Sequence, residues 1–266
     1  MKLSAVIITK NEQDWIENCL KSVNFADQII VVDCGSTDKT LEICRKYKAE
    51  IFSHEWEGFS AQKNFALTKA GGDWVLFIDS DERVSKELKR EIADMLQNPK
   101  NDAYAIPRQN ILLGEFVKHG GWEPDYVTRL ARKDRISGWE GDLHEELKVN
   151  GTVTKLKNPF YHLSHRGVTW MLEKSIKYTQ AEADLRYKAN HPPVVWWRFL
   201  RVMAGEFIDR LIVKSGWRDG TVGWIEAISQ SYNIFLIYAR LWEKQKGKPM
   251  EQIYKDLDKE MAANGF

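Results

Sequence analysis

The sequence predicts an α/β fold: a mostly parallel sheet with a mixed extension, followed by a helical C-terminal region. Three observations support this. Short β-branched runs alternate with amphipathic stretches over the first hundred residues. Residues 102–160 then change to short strands with glycine turns, and from about Thr169 the spacing becomes helical.

Leu3–Thr9 is a β-branched run, expected as a buried strand. Glu12–Ser22 places Trp15, Ile16, Cys19 and Leu20 on one helical face. Gln28–Asp33 is the second expected strand. Ser36, Thr37 and Asp38 offer capping oxygens for a helix through Lys48. Ala49–Ser53 is the third strand, Ser60–Ala70 a helix stopped by Gly71-Gly72, and Trp74–Ile78 the fourth strand. After Asn98-Pro99 the stretches "DAYAIPRQNILLG", "YVTRLARKD" and "HEELKVNGTVTKLKN" suggest a mixed or antiparallel extension. Asn150-Gly151 between two apolar runs predicts a hairpin. Helices are expected over residues 170–187, 194–215 and 222–246, with no internal repeat.

Composition limits the function classes. The chain has 266 residues, 43% hydrophobic and 29% charged, so a folded soluble chain is expected rather than disorder. A net charge of +1 gives no electrostatic case for nucleic acid. The cysteines, Cys19, Cys34 and Cys44, are odd in number and make no C-x-x-C pair. That argues against a disulfide framework or structural zinc and suits a reducing, cytosolic compartment. The first apolar run is too short for a secretion signal, and no run is long enough for a spanning helix.

Polar residues collect where the parallel strands should end, the usual ligand edge of such sheets. Thr9-Lys10-Asn11-Glu12 follows the first strand, Asp33 to Asp38 the second, and Asp79-Ser80-Asp81 the fourth. Gln62, Lys63 and Asn64 begin the third helix. Alternation along a strand would point Asp79 and Asp81 the same way. Such a pair needs water or a cation. These residues suit a nucleotide, its diphosphate and a metal ion.

"AVIITKNE", "IIVVDCGSTDKT", "QKNFAL" and "WVLFIDSDE", in this order and spacing, resemble the family 2 glycosyltransferases of the Rossmann-like GT-A fold. "TRLARKD", "GWEGDLHEEL", "NPFYHLSHR" and "SGWRDGTVGWIEA" resemble its bacterial branch that adds sugars to the lipopolysaccharide core. The resemblance implies a catalytic domain over 1–165, with a nucleotide-sugar half (1–100) and an acceptor half (101–165), and a helical region over 166–266. It also implies a nucleotide-diphosphate sugar donor, expected to be a UDP-sugar, inverting transfer, and a manganese or magnesium ion on the D-x-D.

Matched residue by residue, the resemblance makes Asp81 the direct metal ligand and sets Asp79 nearer the ribose while keeping it in the metal set. His162 is a candidate to complete the shell or touch the diphosphate, with His165 a weaker one. Thr9, Asn11 and Glu12 would line the nucleotide pocket, and Asp33 would accept from base or ribose. Gly35 and Ser36 would let the backbone approach the ligand. Lys63, supported by Asn64, would reach base or phosphate, and Ser80 belongs to the donor-binding set. Arg129 and Arg132 are guanidinium forks suited to phosphate. Relatives carry an aromatic residue where this chain has Ala131. The acceptor hydroxyl needs a base; the "DLHEEL" stretch supplies Asp142, Glu145 and Glu146, and the family's His-Glu pattern assigns Glu145, supported by His144, over the other two acids. With no ligand bound, Asp79 and Asp81 are expected to be the least comfortable residues on that edge.

Between Arg186 and Lys248 there are 11 basic residues against five acidic ones, with Trp196, Trp197, Trp217, Trp224 and Trp242 among them. Such helices suit peripheral attachment to an anionic membrane, here the inner, cytoplasmic face. Three rival readings remain at this point. One is transfer to a lipid phosphate or a protein. Another is a nucleotidyltransferase, which would more naturally place a glycine-rich loop after the first strand. The last is a non-catalytic sugar-nucleotide-binding scaffold.

Overall fold

The computed structural model describes residues 1–141 and 145–265. They form two compact units, 1–118 with 122–166, and 119–121 with 167–266. The first unit begins with strand β1 (Leu3–Thr9), helix α1 (Ile16–Ser22), β2 (Gln28–Asp33), α2 (Thr40–Lys46), β3 (Glu50–Ser53), α3 (Phe59–Lys69) and β4 (Trp74–Phe77). It continues through β5 (Glu82–Val84), α4 (Lys86–Gln97), β6 (Ala103–Leu112), β7 (Glu115–Val117) and β8 (Tyr126–Arg132). It closes with β9 (Ile136–Glu140), β10 (Glu146–Val149), β11 (Val153–Lys155) and β12 (Phe160–Leu163).

The main sheet runs β3-β2-β1-β4-β8-β6-β12-β5. Strands β1 to β4 are parallel, and β8 turns the order antiparallel between β4 and β6. Strand β1 is buried along nearly its whole length because both of its faces are covered. Leu3, Ala5 and Ile7 pack with α1 and α4 through Leu20 and Leu88, while Val6 packs on the other face with Ala66, Phe77 and Trp139. Gly72 follows α3 because its backbone passes against β1, where an added Cβ would lie 2.8 Å from Ser4 N. Ser85 caps α4 by accepting from Leu88 N at 3.1 Å, a contact worth about 1 kcal/mol. The three cysteines are free and buried.

Two sequence expectations differ from the structure here. Residues 12–15 form a turn rather than the start of α1, since Asn11 takes a positive φ of 54° and Ile16 N bonds Glu12 O. The hairpin at Asn150-Gly151 does not form. Strand β10 pairs antiparallel with β9, while β11 leaves it to run parallel beside β6. Asp102 draws the chain away by accepting from Thr152 N at 2.9 Å and from its hydroxyl. Gly151 lies so close to the Asp102 carboxylate that no side chain fits. Leu147 and Trp139 meanwhile bury together, which keeps β10 with β9.

The second unit is helical: α5 (Val168–Lys188), α6 (Trp196–Ile208), α7 (Gly220–Gln245) and α8 (Met250–Ala263). Helix α7 packs on α5 and α6, and Val194, Tyr238 and Leu241 form its buried centre. The single helix expected over 194–215 instead ends at Ile208 and opens into a wider π turn over Asp209–Val213. Lys214 N closes that turn onto Asp209 O, and Gly216 then lies directly under the Arg210 carbonyl. Helix α8, not among the helices expected from the sequence, has no buried residue. Among the described residues no helix is long and apolar enough to cross a membrane.

Candidate active site at the strand ends

The loops after β1 and β2 are tied together by their own polar groups. Asp33 accepts from Gly35 N at 2.9 Å and from the backbone and hydroxyl of Ser36, forming a turn that Gly35 enters with φ +87°. Asn11 Oδ1 accepts from Thr37 N at 2.8 Å, and Asn11 N donates to Ser36 Oγ at 2.9 Å. Asp38 accepts from Thr40 at the start of α2. Thr9 Oγ1 is buried with no hydrogen-bond partner, an unmet polar atom at the floor of this edge.

Beyond β4 the chain turns at once, with Glu82 N bonding Asp79 O at 2.9 Å and Asp79 N bonding Glu82 Oε2 at 3.0 Å. Strand alternation therefore lapses, and the two acids do not share one cation. Asp79 Oδ2 accepts from Arg129 Nη2 at 2.7 Å, while Asp79 Oδ1 lies 3.4 Å from Lys63 Nζ. Lys63, 2% exposed, also donates to Glu145 Oε1 at 2.8 Å. Both cations lie over the Trp139 ring, at 4.5 Å and 5.1 Å from its centroid. Burial alone would raise the Asp79 carboxyl, but Arg129 and then Lys63 outweigh it and hold it well below the usual carboxylate range.

Asp81 belongs to a second group. Its Oδ2 lies 3.8 Å from His162 Nε2 and 3.5 Å from Arg166 Nη2. His162 sits on β12 beside β5, and its Nδ1 is 2.7 Å from Asn110 Oδ1. The Asn110 amide nitrogen is directed at Trp122 O and Asp125, so its oxygen accepts from His162 Nδ1–H and sets the ring with Nε2 toward Asp81. Arg166 also bonds Glu12 Oε2 at 3.1 Å and lies over Trp15 at 4.5 Å. Burial raises the Glu12 carboxyl, and Arg166 draws it part of the way back.

The expectation that the paired acids stand uncompensated without a ligand is therefore corrected: each already faces a cation of the protein itself. Glu82 is the strained acid instead. It is fully buried, Oε1 accepts no hydrogen bond, and Arg108 Nη1 is 3.7 Å away. Burial and then the Asp79 charge push its carboxyl up to about 7. A raised acid favours the fold while neutral, so its contribution is present below the ordinary value of 4.5 and lost as pH rises through about 7. In metal-free buffer, Glu82→Gln is expected to gain Tm relative to the native chain as pH goes from 5 to 8. A Tm difference constant across that range would refute this.

The structure brings together Lys63, Asp79, Arg129 and Glu145, and separately Glu12, Asp81 and His162. Asn64 is used elsewhere, clamping β9 by accepting from Trp139 N at 2.7 Å and donating to Trp139 O at 3.0 Å. Arg132 does not reach the site. It pairs with Trp74, at the opposite end of β4 from Asp79, and bonds Asp134 at the surface. Three residues along a strand reverse the face, so Arg129 and Arg132 could not both point inward. Ser80 is buried, with its carbonyl taken by Arg83. The His165 ring meets Trp122 edge-on at 5.3 Å. Glu146 is exposed and paired with Lys148. His144 and Asp142 lie outside the described residues. Arg166, Trp139, Asn110 and Glu82 were not anticipated. Arg166 and Trp139 stood within the quoted motifs, but nothing in the sequence linked them to acids so far away.

Among the described residues no three His, Cys, Asp or Glu side chains gather into a metal cluster. Asp81 and His162 nevertheless fit an ion bound mostly by its ligand, since magnesium and manganese take few protein groups beside phosphate and water. Asp79, turned to Arg129 and Lys63, does not complete that set.

A half-parallel sheet whose ligand edge carries fixed cations beside acids is a surface suited to an anionic ligand. The chain belongs to glycosyl transferase family 2, whose sequence pattern matches residues 4–150, and it has the GT-A fold. An uncharacterized glycosyltransferase of Rickettsia bellii is 30% identical over 91% of this chain and 86% of its own length. The lipopolysaccharide core biosynthesis glycosyltransferase LpsC of Rhizobium meliloti is 26% identical over 94% of this chain and 96% of its own. In structure, the mannosyltransferase PcManGT from Pyrobaculum calidifontis, in complex with GDP-Man and Mn2+, aligns with a TM-score of 0.56 at 14% identity. The alignment covers 91% of this chain and 88% of that one.

Proposed function

We propose that this protein is an inverting, metal-dependent glycosyltransferase. It moves a sugar from a nucleotide-diphosphate donor, a UDP-sugar, to a hydroxyl of a membrane-linked glycan of the lipopolysaccharide-core type. One observation supports this above the others: Lys63 Nζ joins Asp79 at 3.4 Å to Glu145 at 2.8 Å. Through it, an acid of the donor edge and the candidate base, 66 positions apart, sit on one ammonium group.

Glu145 takes the proton from the acceptor hydroxyl as that oxygen attacks the anomeric carbon opposite the diphosphate. Lys63 holds Oε1 of Glu145 and fixes which way the carboxylate faces. Arg129 and Lys63 keep Asp79 ionised, ready to accept from a ribose hydroxyl. Asp81 and His162 would hold the divalent ion, whose charge offsets that on the departing diphosphate. Thr9, Asn11, Asp33, Gly35 and Ser36 shape the nucleoside end. The test is a panel of UDP- and GDP-sugars with purified protein, Mn2+ and a core-oligosaccharide acceptor, the product anomer read by NMR. Retention of configuration, or no transfer from any donor, overturns the reading.

The helical unit supports a membrane-borne acceptor at the inner face. Trp196, Leu200, Ile208 and Ile212 recur at multiples of four and are all about half exposed or more, Trp196 at 75%. Trp224, Ile228 and Tyr232 repeat the pattern on α7. Among exposed positions from 196 to 232 the charged residues are Arg201, Lys214 and Arg218, all cationic. The acids there are paired or buried: Glu206 with Arg210, Asp219 with His119, and Asp209 with Lys214, while Glu226 is buried. Such a face suits an anionic bilayer surface. The protein should float with phosphatidylglycerol vesicles and not with phosphatidylcholine alone. Trp196→Ser with Leu200→Ser should cut the bound fraction about tenfold. Equal flotation of the double variant refutes this face.

A further inference from the structure

Arg166 stands where two acids from distant parts of the chain meet. Its Nη1 donates to Glu12 Oε2 at 3.1 Å, and its Nη2 lies 3.5 Å from Asp81 Oδ2. The side chain is 14% exposed and its guanidinium lies 4.5 Å over the Trp15 ring, a seat built for a cation. The same Asp81 Oδ2 is the oxygen that faces His162 Nε2. The oxygen read above as the metal ligand thus already has a positive charge of the protein beside it.

We propose that Arg166 is a resident cation. It compensates Asp81 before the donor arrives, opposes binding of a divalent ion alone, and turns to the diphosphate oxygens when nucleotide and ion bind together. This rests on the metal reading of Asp81. A guanidinium and a dication repel strongly across a few ångströms in a partly buried site. A diphosphate removes the conflict, because its oxygens offer the guanidinium a fork of acceptors in place of Asp81. Glu12 and Trp15 keep the side chain at the rim, so the exchange needs a rotation of one end of a planar group. The outcome is positive coupling: ion alone binds weakly, nucleotide alone binds partly through Arg166, and the two together bind well.

The experiment measures Mn2+ binding by electron paramagnetic resonance, and UDP and GDP binding by calorimetry with and without Mn2+. The native chain is compared with Arg166→Met and with Arg166→Gln, which can still bond Glu12 if the first variant folds poorly. Both variants should bind Mn2+ alone about tenfold more tightly, and nucleotide alone about tenfold more weakly, one charge at contact distance being worth about that factor. Adding Asp81→Ala to either should return Mn2+ binding to the native weakness. If Mn2+ binds with nucleotide but the variants take Mn2+ alone no better than the native chain, this inference fails and the metal reading stands. If no form binds Mn2+ even with UDP or GDP present, both fail.

Discussion

Asp81→Ala will lower glycosyl transfer at saturating donor and Mn2+ by about a thousandfold, or ~4 kcal/mol of transition-state stabilisation. The carboxylate is 16% exposed and bonds no part of the core, so the fold should survive its removal. The same change leaves His162 alone to meet the ion, which one imidazole holds poorly. Initial rates across a Mn2+ titration, with Tm as the control for folding, test this. Native rates in the variant would remove Asp81 from the chemistry. A loss rescued in full by raising Mn2+ would confine its role to affinity.

Glu145→Gln is expected to cut kcat by about a hundred- to ten-thousandfold, the usual worth of a positioned base, while the donor dissociation constant moves little. The amide oxygen of glutamine can still accept from Lys63, so the buried ammonium keeps a partner and its contact with Asp79 is undisturbed. This separates chemistry from scaffolding. A donor affinity that falls as steeply as kcat would mean that Glu145 serves mainly to seat Lys63. Single-turnover rates with pre-bound donor distinguish the two.

The parallel half of the fold was legible because β1, β2 and β4 are covered on both faces, which leaves long apolar runs ending abruptly in polar residues. Residues 101–165 were less so. Asn150-Gly151 carries a strong local turn signal, yet Asp102 outbids it from 48 residues upstream of Asn150. Treating Asp79 and Asp81 as one pair assumes that the strand continues through them, but it stops at Phe77. Arg129 is expected at phosphate and Lys63 at base or phosphate, and the structure ties both to Asp79; for Arg129 that pairing depends on β8 lying antiparallel beside β4, which spacing alone does not reveal. Arg166 follows the last strand of the unit and meets Glu12, near its beginning, only after the chain has folded.

The Asn64 clamp bears on how far this enzyme can be treated as modular. One amide on α3 grips both backbone groups of Trp139, and its neighbour Lys63 grips Glu145. A chimera that exchanged residues 1–100 for a segment without the Lys-Asn pair would sever both grips in one cut. Trp139 would lose its two backbone partners, and Glu145 the cation that orients it. The two halves of this unit are thus mechanically linked through two adjacent residues, and a graft that swaps residues 1–100 must keep the Lys-Asn pair or lose its hold on residues 139 and 145.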